Sequence, residues 1–143
     1  MSTLSSAAGP DLTAAQLHAV LRLRCDVFVV EQECAYPDID GRDLLPGTRH
    51  LWIDGPGGVE AYLRVLTEPG GVSRIGRVVT AKRARGLGRA GELMAAALDG
   101  APGEFVLDAQ TYAQKLYSRF GFVAEGQEFL DDGIPHITMR RKD

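Results

Sequence analysis

The sequence predicts a mixed α/β (α+β) domain, with helices packed on a central sheet, over a chain of 143 residues. Apolar runs split by Gly/Pro clusters between His50 and Thr80 read as a β-meander. Two helical patterns, Glu92 to Leu98 and Gln110 to Arg119, flank a short apolar run, Phe105-Val106-Leu107. A hairpin turn signal, Asp131-Asp132-Gly133, then separates two final strand-like segments. This length suits one domain with one core.

The elements follow in chain order. Met1 to Pro10 is small and polar and lacks the basic start and apolar core of a secretory signal, so residues 1–10 are expected to form a flexible leader and residues 11–143 the domain. Thr13 with Gln16 three residues later fits a capping box. Leu17, Val20, Leu21 and Arg24 follow helical spacing, widened by Leu23 and Val27. The β-prone run Val27-Phe28-Val29-Val30 either ends this helix or is a short buried piece of it; periodicity leaves both open. Cys34 to Thr48 reads as a loop, punctuated by Pro37, Gly41, Pro46 and Gly47, with Asp38, Asp40 and Asp43 between them. A loop of this length in a compact domain is often functional.

Strand signals come next: His50 to Ile53, Val59 to Thr67 and Val72 to Thr80, joined by Gly55-Pro56-Gly57-Gly58 and Pro69-Gly70-Gly71. The helix around Glu92 to Leu98 ends near Gly100, with Pro102-Gly103 as the stop. In Gln110 to Arg119, Ala113, Leu116, Tyr117 and Phe120 share one stripe, and Gly121 ends the helix. Phe122 to Leu130 and His136 to Arg140 form the last hairpin.

Composition excludes some functions. A formal net charge of −3 argues against a general nucleic-acid binder. The absence of an apolar stretch of about 18 residues predicts no membrane span. Two cysteines, Cys25 and Cys34, read as reduced thiols of a cytoplasmic protein, although sequence leaves a disulfide open. His18, His50 and His136 are scattered without zinc spacing, so no metal site is expected.

The most informative segment is Arg85-Gly86-Leu87-Gly88-Arg89-Ala90, between the strand Ile75 to Thr80 and a helix of strong helix formers. A glycine-rich turn at a helix N-terminus presents unpartnered N–H groups to an anion. Glycine, lacking Cβ, lets a ligand approach the backbone closely.

Two motifs resemble the GNAT superfamily of N-acetyltransferases. Arg85-x-x-Gly88-x-Ala90 is similar to the family's acyl-CoA loop, Gln/Arg-x-x-Gly-x-Gly/Ala; the rival register Arg83-x-x-Gly86-x-Gly88 matches the letters but fits the spacing to Thr80 and Leu93-Met94 less well. Leu116-Tyr117-Ser118-Arg119-Phe120-Gly121-Phe122 resembles the family's Leu-Tyr-x-x-Phe-Gly-Phe. Within the superfamily the likeness is to ElaA-like proteins, carried by Val27 to Cys34, Tyr36-Pro37, Asp40-Gly41, Asp43, Thr48, His50-Leu51 and Asp132 to Ile137. The resemblance runs over roughly residues 12 to 141.

The resemblance implies a GNAT fold with a mixed, mostly antiparallel sheet of six to seven strands flanked by helices. It implies an acyltransferase that moves an acetyl group from acetyl-CoA to a primary amine by direct attack in a ternary complex, releasing coenzyme A. Val78, Val79 and Thr80 would pair with pantetheine as an added strand and supply an oxyanion-hole N–H. Backbone N–H groups from Arg85 to Ala90 (Arg85, Gly86, Leu87, Gly88, Arg89 and Ala90) would hold the pyrophosphate, with Lys82, Arg83, Arg85 and Arg89 adding charge. Tyr117 matches the usual general acid for the departing thiolate.

For the base, Glu31, Glu33, His50 and His136 are candidates. Glu31 and His136 stand out, because burial after an apolar run would raise the Glu31 pKa and a histidine titrates near neutrality. The aspartates of the 34–48 loop could attract a cationic amine. The acceptor is a small-molecule or peptide amine that the sequence does not identify, and a homodimer is possible. Two other readings share the fold: a non-catalytic acyl-CoA-binding module, and a relative of acyl-homoserine-lactone synthases, which Arg24 with Val27-Phe28 resembles.

Overall fold

A computed structural model describes residues 2–142. Seven strands form one sheet: β1 (Thr3–Ala8), β2 (Arg49–Gly55), β3 (Gly58–Thr67), β4 (Ser73–Thr80), β5 (Phe105–Gln110), β6 (Val123–Asp131) and β7 (Ile134–Arg141). Their order is β1-β2-β3-β4-β5-β7-β6. Every neighbouring pair is antiparallel except β4 and β5, which run parallel. Three helices, α1 (Ala14–Arg24), α2 (Arg89–Asp99) and α3 (Gln114–Ser118), complete the mixed architecture. Among the described residues no helix is long and apolar enough to cross a membrane.

The sheet is covered on both faces, and β3 is buried from Val59 to Leu66 for that reason. On one face Leu51, Leu63, Leu93, Met94, Phe105 and Leu107 form the core beneath α2 and α3. On the other, Val20, Leu23, Trp52, Tyr62 and Val79 pack under α1. Alternation along β3 divides the two sets, with Ala61, Leu63 and Val65 on one side and Tyr62 on the other.

The expected leader is instead an edge strand. β1 pairs with β2 from Thr3 opposite Asp54 to Ala8 opposite Arg49. Its small polar side chains carry little apolar signal, but pairing is made by the main chain, and β2 needs a partner on that edge. The turn that follows brings the Gly9 N–H within 2.9 Å of the Thr48 carbonyl. A Cβ on Gly9 would lie 2.5 Å from the Asp43 oxygen, so this position requires glycine.

Thr13 and Gln16 make the expected capping box, each main-chain N–H donating to the other's side-chain oxygen at 3.0 Å. The run left open by periodicity continues the helix with wider turns, as a π-helical segment Cys25–Glu31. Such segments concentrate at functional sites. Cys25 and Cys34 are free thiols.

The loop after it is pinned from inside. Fully buried Arg24 donates from Nε to Asp38 at 2.9 Å, from Nη1 to Asp43 at 2.7 Å and from Nη2 to the Asp38 carbonyl at 2.8 Å. Arg64 holds Asp40 through both terminal nitrogens and reaches Asp43 at 3.0 Å. Arg77 adds an ion pair to Asp38 at 2.9 Å. Asp38, Asp40 and Asp43 are therefore not a field waiting for a cationic amine. They are neutralised by Arg24, Arg64 and Arg77, and their work is to hold the loop.

His50 belongs to this buried layer. Its Nε2 lies 2.7 Å from the Asp43 carbonyl and its Nδ1 2.6 Å from the Tyr62 hydroxyl. A carbonyl only accepts, so Nε2 carries the proton and Nδ1 accepts from Tyr62. Burial pushes the His50 pKa below its ordinary value. A base with a depressed folded pKa supports folding above its unfolded pKa of about 6.5 and loses that support as pH falls through the folded pKa. Thermal midpoints measured from pH 7 to pH 5 are expected to decline, and the decline is expected to be shallower in His50→Gln.

Candidate active site

The site begins where two strands part. β4 and β5 pair at only two positions, Ser73 with Phe105 and Arg74 with Val106. Beyond them the strands diverge, and the edge of β4 facing β5 has no strand partner. β4 also carries a bulge: Tyr62 pairs with Val79 but Arg64 pairs with Gly76, so β3 advances two residues while β4 advances three. Arg77 absorbs the extra residue at φ 54°, a left-handed conformation rare for a side chain of its size. The resulting cleft has a volume of about 660 Å³. Val78, Val79 and Thr80 line it, as do Arg85 and Ala90 at one end and Tyr117 and His136 across from β4.

At the β4 end the chain makes a short turn and enters α2 through Gly86 and Gly88, at φ 83° and 78°. Among the described residues, the amides of Gly86, Leu87 and Gly88 donate to no main-chain group. Arg89 and Ala90 open α2, where N–H groups have no intrahelical acceptor. The loop thus offers consecutive free donors at a helix N-terminus, suited to a phosphate.

The side chains behave differently from expectation. Arg85 donates to both Glu31 oxygens, at 2.6 and 2.9 Å, and to the Thr80 carbonyl at 3.2 Å. Arg89 turns to Glu60 at 3.0 Å and to the Ser2 hydroxyl at 3.2 Å. Arg83 caps the Val59 carbonyl at 3.0 Å. Of the four cations, Lys82 alone has a side chain with no hydrogen-bond or ion-pair partner among the described residues. An anion at this loop would be held mainly by the main chain. Gly88→Val adds a β-branched side chain at positive φ, costing about 1–2 kcal/mol locally. It is expected to reduce binding of coenzyme A by calorimetry while the far-UV spectrum stays that of the parent.

The acid–base candidates separate clearly. Tyr117 of α3 is buried and lines the cleft, its ring edge-on to Phe122 at 6.4 Å. Burial pushes its phenol above the ordinary value, so it stays protonated and able to donate. His136 lines the cleft from β7 and stacks on Phe129 at 5.9 Å. Its Nδ1 lies 2.7 Å from the Ile134 carbonyl, which fixes the proton on Nδ1 and leaves Nε2 as a free acceptor in the neutral ring.

Glu31 also lines the cleft, but the hydrogen bonds from Arg85 lower its pKa, the reverse of the shift expected from burial. An ion-paired carboxylate of lowered pKa is a poor proton acceptor. His50 lies inside the buried network and Glu33 on the exposed surface at φ 52°, and neither lines the cleft.

The structure adds residues that the sequence reading passed over. Asp108 and Gln110 line the cleft because β5 runs to Gln110 rather than stopping at Leu107. The signal was present: Phe105, Leu107 and Ala109 alternate with Val106, Asp108 and Gln110, a period of two that extends the strand. Gly76 also lines the cleft, at the bulge.

Known proteins resemble this chain throughout its length. Residues 61–142 match the family described as acetyltransferase (GNAT) domain. A UPF0039 protein of Mycobacterium tuberculosis is 50% identical over 137 residues, covering 92% of this chain and 87% of that protein. Protein ElaA of Escherichia coli is 38% identical over 141 residues, 92% of this chain and 91% of ElaA. Its crystal structure superposes with a TM-score of 0.92 at 36% identity, covering 99% of this chain and 100% of that one. An acyl-CoA N-acyltransferase from Pseudomonas aeruginosa superposes with a TM-score of 0.91 at 43% identity, over 99% of each chain.

Proposed function

Because this chain belongs to the GNAT acetyltransferase family, in its ElaA-like branch, we propose that it transfers the acetyl group of acetyl-CoA to a primary amine by direct attack in a ternary complex. One observation supports this most: the open crevice between β4 and β5 reaches Arg85 and Ala90, the two ends of a glycine loop whose Gly86, Leu87 and Gly88 amides donate to no main-chain group among the described residues. The residues fit such a donor. Val78, Val79 and Thr80 line the open cleft, with the Thr80 carbonyl taken by Arg85, and among the described residues the Gly86, Leu87 and Gly88 amides donate to no main-chain acceptor. Acetyl-CoA would supply an activated thioester; this chain's residues do the rest.

The amides of Gly86 to Ala90 hold the diphosphate at the start of α2, where the helix dipole adds about half a positive charge. Val78, Val79 and Thr80 present a strand edge to the amides of the pantetheine arm. The bulge at Arg77 twists this edge, and a backbone N–H of the Val78–Thr80 stretch polarises the acetyl oxygen. His136, through Nε2, takes the proton from the acceptor amine. Tyr117 donates its phenolic proton to the departing sulfur and is kept neutral for that purpose by its burial. The strand order brings these groups together, because β4, β5 and β7 are neighbours and α3 follows β5 directly.

Titration of acetyl-CoA by calorimetry, followed by thiol release across an amine library, tests the proposal. Saturable binding with amine-dependent thiol release is the expected result. Absence of binding at millimolar acetyl-CoA would remove it, and binding without release for any amine would mark a module that holds acyl-CoA without using it.

A further inference from the structure

Gly76 carries a signal that the acyl-CoA reading does not use. Every other glycine in the chain has a conformational or steric reason, or a neighbour in contact distance. Ten have positive φ, and a Cβ on each of the remaining six would meet an atom within 4 Å. Gly76 has neither: its φ is not in the left-handed range and a Cβ would meet nothing within 4 Å. Gly76 borders the bulge at Arg77, but its own φ is ordinary and its Cβ position is open, so the bulge does not by itself call for glycine there. A strand interior is weakened by glycine, and a β-branched residue would serve better. Such a glycine marks a place where something else approaches the backbone.

What lies beside it is a carboxylate. Arg74 with Val106 is the last pair of the parallel ladder, so Gly76 and Asp108 are the positions that would face each other had the ladder continued. The strands part there instead, and the gap opens into the cleft. Asp108 shares the face of Arg74, which reaches its Oδ2 at 3.1 Å, while the Thr138 hydroxyl donates to Oδ1 at 2.8 Å. The carboxylate is thus held in place and still more than a third exposed, at 37%. Diagonally across the β5–β7 ladder is His136, which pairs with Gln110.

We propose that Gly76 and Asp108 form the acceptor subsite: an unbranched primary alkylamine lies across the bare backbone of Gly76, with its nitrogen hydrogen-bonded to Asp108 beside the acetyl position. Val78, two residues along the same strand, begins the stretch assigned to the acyl donor, so the two substrates meet on one strand. Gly76 sets specificity by leaving room for the acceptor chain. Asp108 is the group that receives the ammonium before its proton is removed.

The inference rests on the acyl-CoA reading, and the test separates the two. The probes are coenzyme A and a bisubstrate compound, coenzyme A joined from its sulfur through a CH₂–C(=O)–NH bridge to an n-butyl group. Calorimetry with the parent chain is expected to show the bisubstrate binding about tenfold or more tighter than coenzyme A. Gly76→Val is expected to keep the affinity for coenzyme A and lose this advantage, with a thermal midpoint equal to or above the parent's. Asp108→Ala is expected to lose about tenfold of the bisubstrate affinity alone. A Gly76→Val midpoint lower by more than about 4 °C would make the glycine structural and overturn the inference. So would an undiminished bisubstrate advantage in Gly76→Val, or none in the parent. Failure of the parent to bind coenzyme A at all would fell the acyl-CoA reading, and the subsite with it.

Discussion

Tyr117→Phe is expected to lower kcat by about 10² to 10³ while leaving the affinity for acetyl-CoA and the thermal midpoint close to the parent's. The phenol sits buried against Phe122 in the cleft wall, so removing one oxygen leaves the packing of the ring intact. Tyr117 lines the cleft, where the proposed mechanism has its hydroxyl serve the departing sulfur. A residue that only packs would show no loss in rate. His136→Gln is the second readout. If His136 is the proposed base, the substitution should also lower the rate while leaving the affinity for coenzyme A close to the parent's. Stopped-flow thiol release with saturating amine measures both, and equal rates for parent and Tyr117→Phe would return Tyr117 to a packing role.

The largest stability effect is expected at Arg24. Arg24→Ala leaves Asp38 and Asp43 buried without the cation that sits between them, a change that costs about 3–5 kcal/mol. Urea unfolding followed by tryptophan fluorescence, with Trp52 as the reporter, measures the shift in midpoint. The network also gives acid sensitivity a definite sign. The hydrogen bond from Arg64 holds the Asp40 carboxyl far below the usual carboxylate range. A carboxylate of depressed pKa supports folding above about pH 4 and loses that support as pH falls through its folded value. With Arg24 gone, Asp43 loses one of its two cationic partners, and acid unfolding is expected to begin at a higher pH than in the parent. A change below about 1 kcal/mol would show that the loop is held by something other than this arginine.

Much of this arrangement was legible from residue patterns. The meander, the glycine loop, the capping box at Thr13 and the C-terminal hairpin each rest on local chemistry, which sequence records directly. What could not be read was set by distance along the chain. Thr3 to Ala8 has no apolar alternation, and its strand exists because β2, some forty residues later, has an edge to fill. The direction of the Glu31 shift depends on Arg85, which is 54 residues away in sequence and hydrogen-bonded in space. The aspartates of the long loop looked like a solvated acidic patch because Arg24 and Arg64 belong to other elements. Asp108 lies just past the apolar run Phe105-Val106-Leu107, on the polar half of an alternation that carries the strand to Gln110. The departure of β4 from β5 has no sequence signature except Gly76 and the residue after it.

The edge position of β1 has a practical side. β2 carries Leu51, Trp52 and Ile53, all within 3% of complete burial. A chain trimmed to start at Gly9 would bare the hydrogen-bonding border of β2, and such a border recruits strands from other molecules. Removing eight unremarkable residues is then expected to make the chain clump, and light scattering of the trimmed chain against the intact one would reveal it.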